Sequence, residues 1–285
     1  MKHLGFVVAA LFIAHPVLAV DTQYESAGFQ FVENALLDNR GGIYANYLTT
    51  YPNDPAAGVN HQMLSEYSGL AMEYAVYANK QDFFVTQDSF VKTYLQNHPI
   101  QPELDLYSWR INAALTTPAA SSATIDDFRI IDGYLQAAQK WDKTDYKTAA
   151  LAAAADLKEY TMVNGIISEA ASWDAAGVYS SDTAILSYFD LPAMQRLAAF
   201  DTTWTTIEQT HYDLIADSAS ALGNNGLYRL NYNLNTGTFI EQTELNTIHE
   251  ALIAQHLAEA GHTELAQQSL DFYKSEYANN GGRIY

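Results

Sequence analysis

Apolar residues recur at three- and four-residue spacing along most of the chain, which is the pattern of amphipathic α-helices. Strand-like alternation is confined to short pieces such as residues 227–234. A helix with an apolar stripe must bury it against another element, so the chain is predicted to be all-α, a series of helices joined by loops. The periodic segments are residues 29–37, 63–77, 83–95, 128–141, 149–160, 207–222, 248–257 and 265–277.

The loops share a signature, a glycine followed by an aliphatic residue and usually a tyrosine. Glycine supplies the left-handed backbone that ends a helix, and the apolar residues then fold the loop onto the core. Recurrence after successive helices predicts a toroid of helical hairpins, and the uneven intervals favour a closed barrel over a solenoid. The signature occurs at residues 42–44, 165–167, 177–179, 226–228 and 282–285.

The first residues have the pattern of a secretory signal peptide. A basic start is followed by an apolar run from Leu4 to Ala14 and by a small-residue cleavage site at Ala19, so residues 1–19 are predicted to be removed. The run is too short to cross a bilayer, and we expect no membrane anchoring, although an uncleaved anchor is the alternative. No linker interrupts residues 20–285, which are predicted to form a single secreted or periplasmic domain and a monomer.

Composition narrows the classes of function. The chain has 33 acidic and 14 basic residues, a formal net charge of −19, which repels phosphate backbones and makes nucleic acid an unsuitable partner. It has no cysteine, which excludes disulfides, a lipid-modified cysteine and thiol catalysis. The 20 tyrosines offer flat faces with a polar tip, which suit stacking on sugar rings and also ordinary helix packing.

Three segments carry a resemblance to a known family. Residues 64–72, Leu-Ser-Glu-Tyr-Ser-Gly-Leu-Ala-Met, resemble the helix of glycoside hydrolase family 8 that holds the general acid. Residues 122–128, Ser-Ala-Thr-Ile-Asp-Asp-Phe, look like the family's Ala-Thr-Asp-x-Asp-Leu helix, in which an aspartate holds and distorts the sugar. Residues 187–194 are similar to its Ser-Tyr-Phe-x-Pro segment. The resemblance covers most of the chain and implies an (α/α)6-type barrel that cleaves polysaccharides with inversion and without a cofactor.

The resemblance assigns roles to particular carboxyls. Inverting hydrolysis needs one carboxylic acid to protonate the leaving oxygen and one base to activate water on the opposite face. Glu66 is the expected acid, with a raised pKa as the most buried carboxyl of the site. Asp127 is favoured over Asp126 as the sugar-holding residue, since Ile125 occupies the place of the family's first aspartate. The alternative interpretation of all three is that they are first-turn acids that complement a helix dipole.

The base is less clearly marked. The family's base aspartate precedes a late helix, and the matching residue here is Asn246, whose amide cannot accept a proton as a carboxylate does. Asp190, Glu241 and Glu244 are the candidates. Asp190 ranks first because it lies in the third motif, although its position before Leu191-Pro192 equally suits a helix N-cap.

Aromatic and histidine side chains are further candidate site residues. Tyr67, Trp109 and Tyr188 are candidate stacking platforms, or packing residues of the loops. His249, His256 and His262 lack carboxylates at a metal-binding spacing, so we interpret them as packing or surface residues and expect no metal site.

Together these observations predict a secreted endo-acting enzyme that cleaves a β-linked polysaccharide, with a bacterial exopolysaccharide as the leading expectation. The alternative is a non-catalytic glycan-binding protein on a decayed barrel, which is suggested by Asn246 at the position of the family's base. Nine or ten helices are expected where the family has twelve, so either the last hairpin is missing or the ring closes differently.

Overall fold

The computed structural model describes residues 22–46, 61–116, 118–242 and 246–280, so residues 1–19 and Glu244 lie outside the described residues. The described helices are α1 (Thr22–Phe31), α2 (Ser65–Tyr77), α3 (Gln81–Phe90), α4 (Thr124–Trp141), α5 (Thr144–Thr161), α6 (Leu191–Ala198), α7 (Thr203–Ala221), α8 (Thr247–Glu259) and α9 (Thr263–Asn279). The strands are β1 (Met63–Leu64), β2 (Arg110–Ile111), β3 (Met162–Val163), β4 (Ile166–Ile167), β5 (Ala171–Asp174), β6 (Gly177–Ser180), β7 (Thr183–Ile185), β8 (Asn231–Asn233) and β9 (Thr238–Phe239). Among these helices none combines the length and the apolar character that a membrane span requires.

The helices form two layers. Helices α2, α4, α6 and α8 are successive neighbours, and we call them the inner helices. Each inner helix packs against the helix that follows it in the chain, α3, α5, α7 or α9, so the unit of construction is the helical hairpin. The prediction of an all-α fold built from a series of helical hairpins is therefore confirmed.

The core between the layers is built from apolar side chains at helical spacing. Phe84 of α3 is fully buried and contacts the rings of Tyr134, Trp141 and Tyr146 from α4 and α5, with centroid distances between 4.9 and 6.0 Å. Edge-on and tilted contacts of this kind add to the stabilisation from area burial. These contacts hold α3 and α5 against the inner helix α4.

The glycine signature has a different cause from the expected one at two of its positions. Asn164 and Gly165 both have positive φ, 53° and 83°, and form the two-residue turn of the β3–β4 hairpin. Gly177 has no positive φ and begins β6, which pairs with β5 in a second hairpin. The expectation that these glycines end helices is therefore wrong, because the chain between α5 and α6 is a set of short antiparallel strands.

The β5–β6 hairpin is attached to the segment that leads into α4. The Ser122 amide donates to the Ala171 carbonyl at 2.8 Å, and the Trp173 amide donates to the Ala120 carbonyl at 3.0 Å. The tip of the hairpin, residues 175–176, is exposed to solvent. The hairpin therefore stands beside the N-terminus of α4, with its base in the core and its tip in water.

Candidate active site

The N-termini of α2 and α4 lie side by side because two glycines let these helices approach closely. A Cβ on Gly69 would lie 2.7 Å from the Arg129 Cβ, and one on Gly133 would lie 2.9 Å from the Met72 Cβ. Gly69 precedes Met72 in α2 and Arg129 precedes Gly133 in α4, so the two helices run parallel. Parallel helices in this register bring their first turns, with Glu66 and Asp126, to the same end.

A short loop ties these two first turns together. The Ser65 amide donates to the Trp109 carbonyl at 3.0 Å, and the Trp109 amide donates to the Ser121 carbonyl, also at 3.0 Å. Strands β1 and β2 pair next to these bonds. Trp109 is therefore held against the start of α2, with the Arg110 guanidinium 4.5 Å from the centre of its ring and its side chain only partly buried.

Glu66 lies in the first turn of α2 with 35% of its side chain exposed. Its Oε1 accepts a hydrogen bond of 2.8 Å from a terminal nitrogen of Arg129, whose own side chain is only 7% exposed. A buried guanidinium needs such a partner, and charge-assisted bonds of this kind are strong and directional. The pair fixes the direction of the Glu66 carboxyl and leaves Oε2 available to a ligand.

Asp126 is the carboxyl that lies beside Glu66. Its Oδ2 accepts a 2.6 Å hydrogen bond from the Ser65 hydroxyl, and the Glu66 amide also donates to its carboxylate. Burial, opposed by the Ser65 bond and assisted by the Glu66 charge, raises the pKa of Asp126 to about 7. The carboxyl with the raised pKa is thus Asp126, the more deeply buried of the two.

Asp127, the residue favoured from the sequence for holding the sugar, is fully buried. Its Oδ1 accepts from the Tyr107 amide at 3.1 Å, Ser122 also donates to the carboxyl, and Oδ2 has no partner within the described part of the chain. Burial raises its pKa well above the usual range. With no exposed surface Asp127 cannot touch a sugar in this conformation, so the geometry favours Asp126 for that role.

Two tyrosines flank the carboxyls. Tyr67 follows Glu66 in the chain, and burial together with the charges of Glu66 and Asp126 raises its pKa. Burial and the nearby charges of Asp126 and Glu169 raise the pKa of Tyr188 to about 12. Tyr188 is therefore near Asp126 and stays protonated at neutral pH. Both rings are partly exposed, as a stacking platform requires.

Asp190 is brought to a different group of charges. Its Oδ1 accepts from the Ala193 amide at 3.0 Å and so caps α6, as the alternative interpretation of the sequence proposed. It lines a polar cavity of about 330 Å³ with Arg129, Asp132 and Arg196. Arg196 forms a two-pronged ion pair with the buried Asp132 there. Arg129 borders both this cavity and Glu66.

Asn246, at the position of the family's base, and the candidate Glu241 precede α8 in the chain. Asn246 is the N-cap, and its side-chain oxygen accepts from the amides of Ile248 and His249. Glu241 is exposed.

His249 and Arg129 are site residues that the sequence did not reveal. The Nδ1 of His249 lies 2.5 Å from the Ser187 hydroxyl, and its ring stacks on Tyr188 with centroids 6.1 Å apart. Arg129 follows Asp126 at a spacing of three, which places both on one face of α4. The feature of the sequence that could have indicated Arg129 is its position two and three residues after two adjacent acids. For His249 the sequence carries no comparable signal.

No group of three histidine or carboxylate side chains suited to a metal ion occurs within the ranges that the structure describes. The polar groups of the described site are its carboxyls, one arginine, a histidine and hydroxyl groups. A carboxyl with a pKa of about 7 beside a second carboxyl is suited to proton transfer.

Comparisons with known proteins agree with this geometry. The chain is 29% identical over 256 residues to the Bacillus subtilis (strain 168) protein named "Putative lipoprotein YdaJ", covering 88% of this chain and 62% of that protein's length. A Clostridium perfringens structure described as a novel alpha-amylase matches with a TM-score of 0.77 and 28% identity, over 89% of this chain and 70% of that one.

The family 8 endoglucanase Cel10 of Klebsiella pneumoniae matches with a TM-score of 0.67 and 19% identity, over 87% of this chain and 78% of that one. Family 8 structures have an (α/α)6 barrel, and the helical hairpins described above belong to that fold. The family model for glycosyl hydrolases family 8 matches residues 53–244, more than half of the sequence. The chain therefore belongs to glycosyl hydrolases family 8.

Proposed function

We propose that this chain hydrolyses internal glycosidic bonds of a polysaccharide with inversion, and that Glu66 is its general acid. The observation that carries the proposal is the position of Glu66. It lies partly exposed at the end where α2 and α4 begin, is oriented by Arg129, and adjoins the buried Asp126. A general acid must reach the leaving oxygen with its proton, and Glu66 is the more exposed carboxyl of this pair.

Asp126 is proposed to hold the sugar at the point of cleavage. Its Oδ2 is already fixed by Ser65, so the carboxyl is oriented before a ligand arrives. Tyr67 and Tyr188 lie near Asp126, and the backbone of Trp109 is bonded to the start of α2. Their partly exposed rings are proposed to offer faces for neighbouring sugar rings. Preorganised contacts of this kind favour the distorted ring of the transition state.

The substrate is proposed to be a neutral or cationic β-linked polysaccharide, with a bacterial exopolysaccharide that contains amino sugars as the leading candidate. The net charge of −19 disfavours polyuronates. An α-linked glucan is a second candidate, since the Clostridium perfringens protein that is 28% identical is described as an alpha-amylase. Action outside the cytoplasm is supported by the signal-like residues 1–19 and by the lipoprotein description of the Bacillus relative.

The test is an assay of new reducing ends on a panel of purified glycans: β-glucan, xylan, chitosan, an amino-sugar exopolysaccharide and starch. Cleavage of a β-linked member with release of the α-anomer, followed by proton NMR, would support the proposal. Cleavage of starch alone would favour the second candidate. Binding without cleavage across the panel would favour the non-catalytic alternative.

Glu66→Gln keeps the size of the side chain and removes the proton donor. Activity should fall by about 10² to 10⁴ while the circular dichroism spectrum stays unchanged. The melting temperature should fall, because the buried Arg129 loses its charged partner and keeps at most a neutral hydrogen bond. Unchanged activity in this variant would remove Glu66 from the mechanism.

A further inference from the structure

His249 occupies a position that the proposed function leaves unexplained. It lies in the first turn of α8, partly buried, and its ring is held on two sides. Nδ1 lies 2.5 Å from the Ser187 hydroxyl, and Tyr188 stacks on the ring at an interplanar angle of 20°. Within the described residues Nε2 has no hydrogen-bond partner, and it is not sealed from solvent. One nitrogen is thus anchored while the other is open.

The charges around His249 are those of the proposed active site. Burial lowers the pKa of His249, and the Glu66 carboxylate is close enough to oppose that shift. The titratable groups next to its stacking partner Tyr188 are Asp126, Glu169, Glu66 and Arg129. Because burial favours the uncharged imidazole, the ring is available as a proton acceptor at neutral pH.

Other acceptors near this end of the inner helices are engaged or unsuited. Asn246 is an amide, and its oxygen caps α8. Asp190 caps α6 through Oδ1 and lies with Asp132 and Arg196. Asp126 is buried and bonded to Ser65. Glu169 accepts a hydrogen bond from the Ser181 hydroxyl and lies beside Tyr188 and the start of α4. His249 combines an acceptor atom without a partner among the described residues, a ring held in place by Ser187 and Tyr188, and a position near Glu66.

We propose that His249 is the general base of the hydrolysis, an inference that rests on the proposed function. The water oxygen bonds to the anomeric carbon, the bond from that carbon to the leaving oxygen breaks, and Glu66 gives its proton to the leaving oxygen. The proton of the water passes to Nε2 of His249. The imidazolium later gives its proton to solvent, and Glu66 takes one from solvent.

The arrangement suits the charges that develop. Acceptance at Nε2 requires the tautomer with hydrogen on Nδ1, which then donates to the Ser187 hydroxyl. As Glu66 becomes a carboxylate, His249 becomes a cation, so the two groups attract each other where the barrier is highest. Ser187 is a positioning residue in this scheme.

The test compares His249→Asn, His249→Gln, Glu66→Gln and the matched control Asp190→Asn. The substrates are the glycan cleaved in the panel and the 2,4-dinitrophenyl β-glycosides of cellobiose and xylobiose, whose leaving group needs no acid. Both His249 variants should lose about 10² to 10⁴ in rate on all substrates. Glu66→Gln should lose that much on the glycan and keep its rate on the dinitrophenyl glycosides. Asp190→Asn should stay within about twofold of the wild type on every substrate.

Wild-type rates in both His249 variants, or loss of activity in Asp190→Asn instead, would overturn the assignment while leaving the proposed function intact. Absence of cleavage by the wild type on the whole panel would refute the proposed function and this inference with it. If the His249 variants do not fold, the wild-type pH profile decides. An acidic limb of kcat/KM that moves to lower pH on warming supports an imidazole base, because the pKa of an imidazole falls with temperature; a limb that does not move indicates a carboxylate and refutes the assignment.

Discussion

The contact between Gly69 and α4 predicts that one added methyl group disturbs both stability and the active site. In Gly69→Ala the new Cβ would lie 2.7 Å from the Arg129 Cβ, 3.2 Å from the Ile130 amide nitrogen and 3.3 Å from the Arg129 carbonyl carbon. Carbon atoms in contact are normally about 3.5 to 4.0 Å apart, so α4 must move by roughly 1 Å. Two of the three atoms are backbone atoms, which side-chain rotation cannot relieve.

The change in the free energy of unfolding is the balance of two opposed effects. Overpacking of this kind costs about 1 to 3 kcal/mol, and the higher helix propensity of alanine returns about 1 kcal/mol. Gly69→Ala should therefore lower the free energy of unfolding by up to about 2 kcal/mol. Activity should fall more sharply, by about 10²-fold, since a shift of 1 Å separates Glu66 from Asp126 and Arg129.

Gly28→Ala is the matched control. Gly28 lies in α1, and a Cβ there meets nothing within 4 Å. This variant should gain up to about 1 kcal/mol and keep full activity. Urea unfolding followed by circular dichroism, with the reducing-end assay, measures both quantities. Equal stability and full activity in both variants would refute the reasoning that glycine sets the distance between the inner helices.

Three further predictions concern the carboxyls. The folded pKa of Asp126, about 7, lies above its unfolded value, so its contribution to stability is complete below about pH 4 and is lost as the pH rises through 7. Asp126→Asn should therefore show a smaller drop in unfolding free energy between pH 5 and pH 8 than the wild type, and an equal drop would contradict the assignment. Asp127→Asn should change the free energy of unfolding by less than about 1 kcal/mol and should retain activity, because the residue is buried and its neutral form is favoured there. A loss of activity of about 10²-fold would restore Asp127 as the sugar-holding residue. Asp190→Ala should cost about 1 kcal/mol in urea unfolding through loss of the α6 cap, whereas Asp190→Asn should not, and equal stability of the two would argue against the capping bond.

The sequence predicts the helical layers well because their signal is local. Each periodic segment reflects a helix that must bury one face, and the eight segments named from the pattern overlap α1 to α5 and α7 to α9. Helix α6 has only eight residues and was anticipated only through Asp190 and Pro192 at its start. The strands between α5 and α6 are two to four residues long, too short for alternation to be recognised.

The site residues that could be predicted from the sequence are those that lie in recognisable motifs. Glu66 and the pair Asp126 and Asp127 come from segments that resemble a family, but the choice between the two aspartates depends on which one Ser65 and the Glu66 amide meet. That contact is set by the crossing of two helices, which local sequence does not encode. The approach of His249 to Ser187 joins residues 62 positions apart and depends on tertiary packing in the same way.

The base and the tip of the β5–β6 hairpin differ in how much change in sequence and length they tolerate. Its base is bonded to the segment before α4, while its exposed tip, residues 175–176, makes only the local Asp174 turn. Exposed tips tolerate insertions, whereas Glu66 and Asp126 are placed by contacts between helices. The hairpin can therefore lengthen during evolution beside the N-terminus of α4 while Glu66 and Asp126 keep their positions.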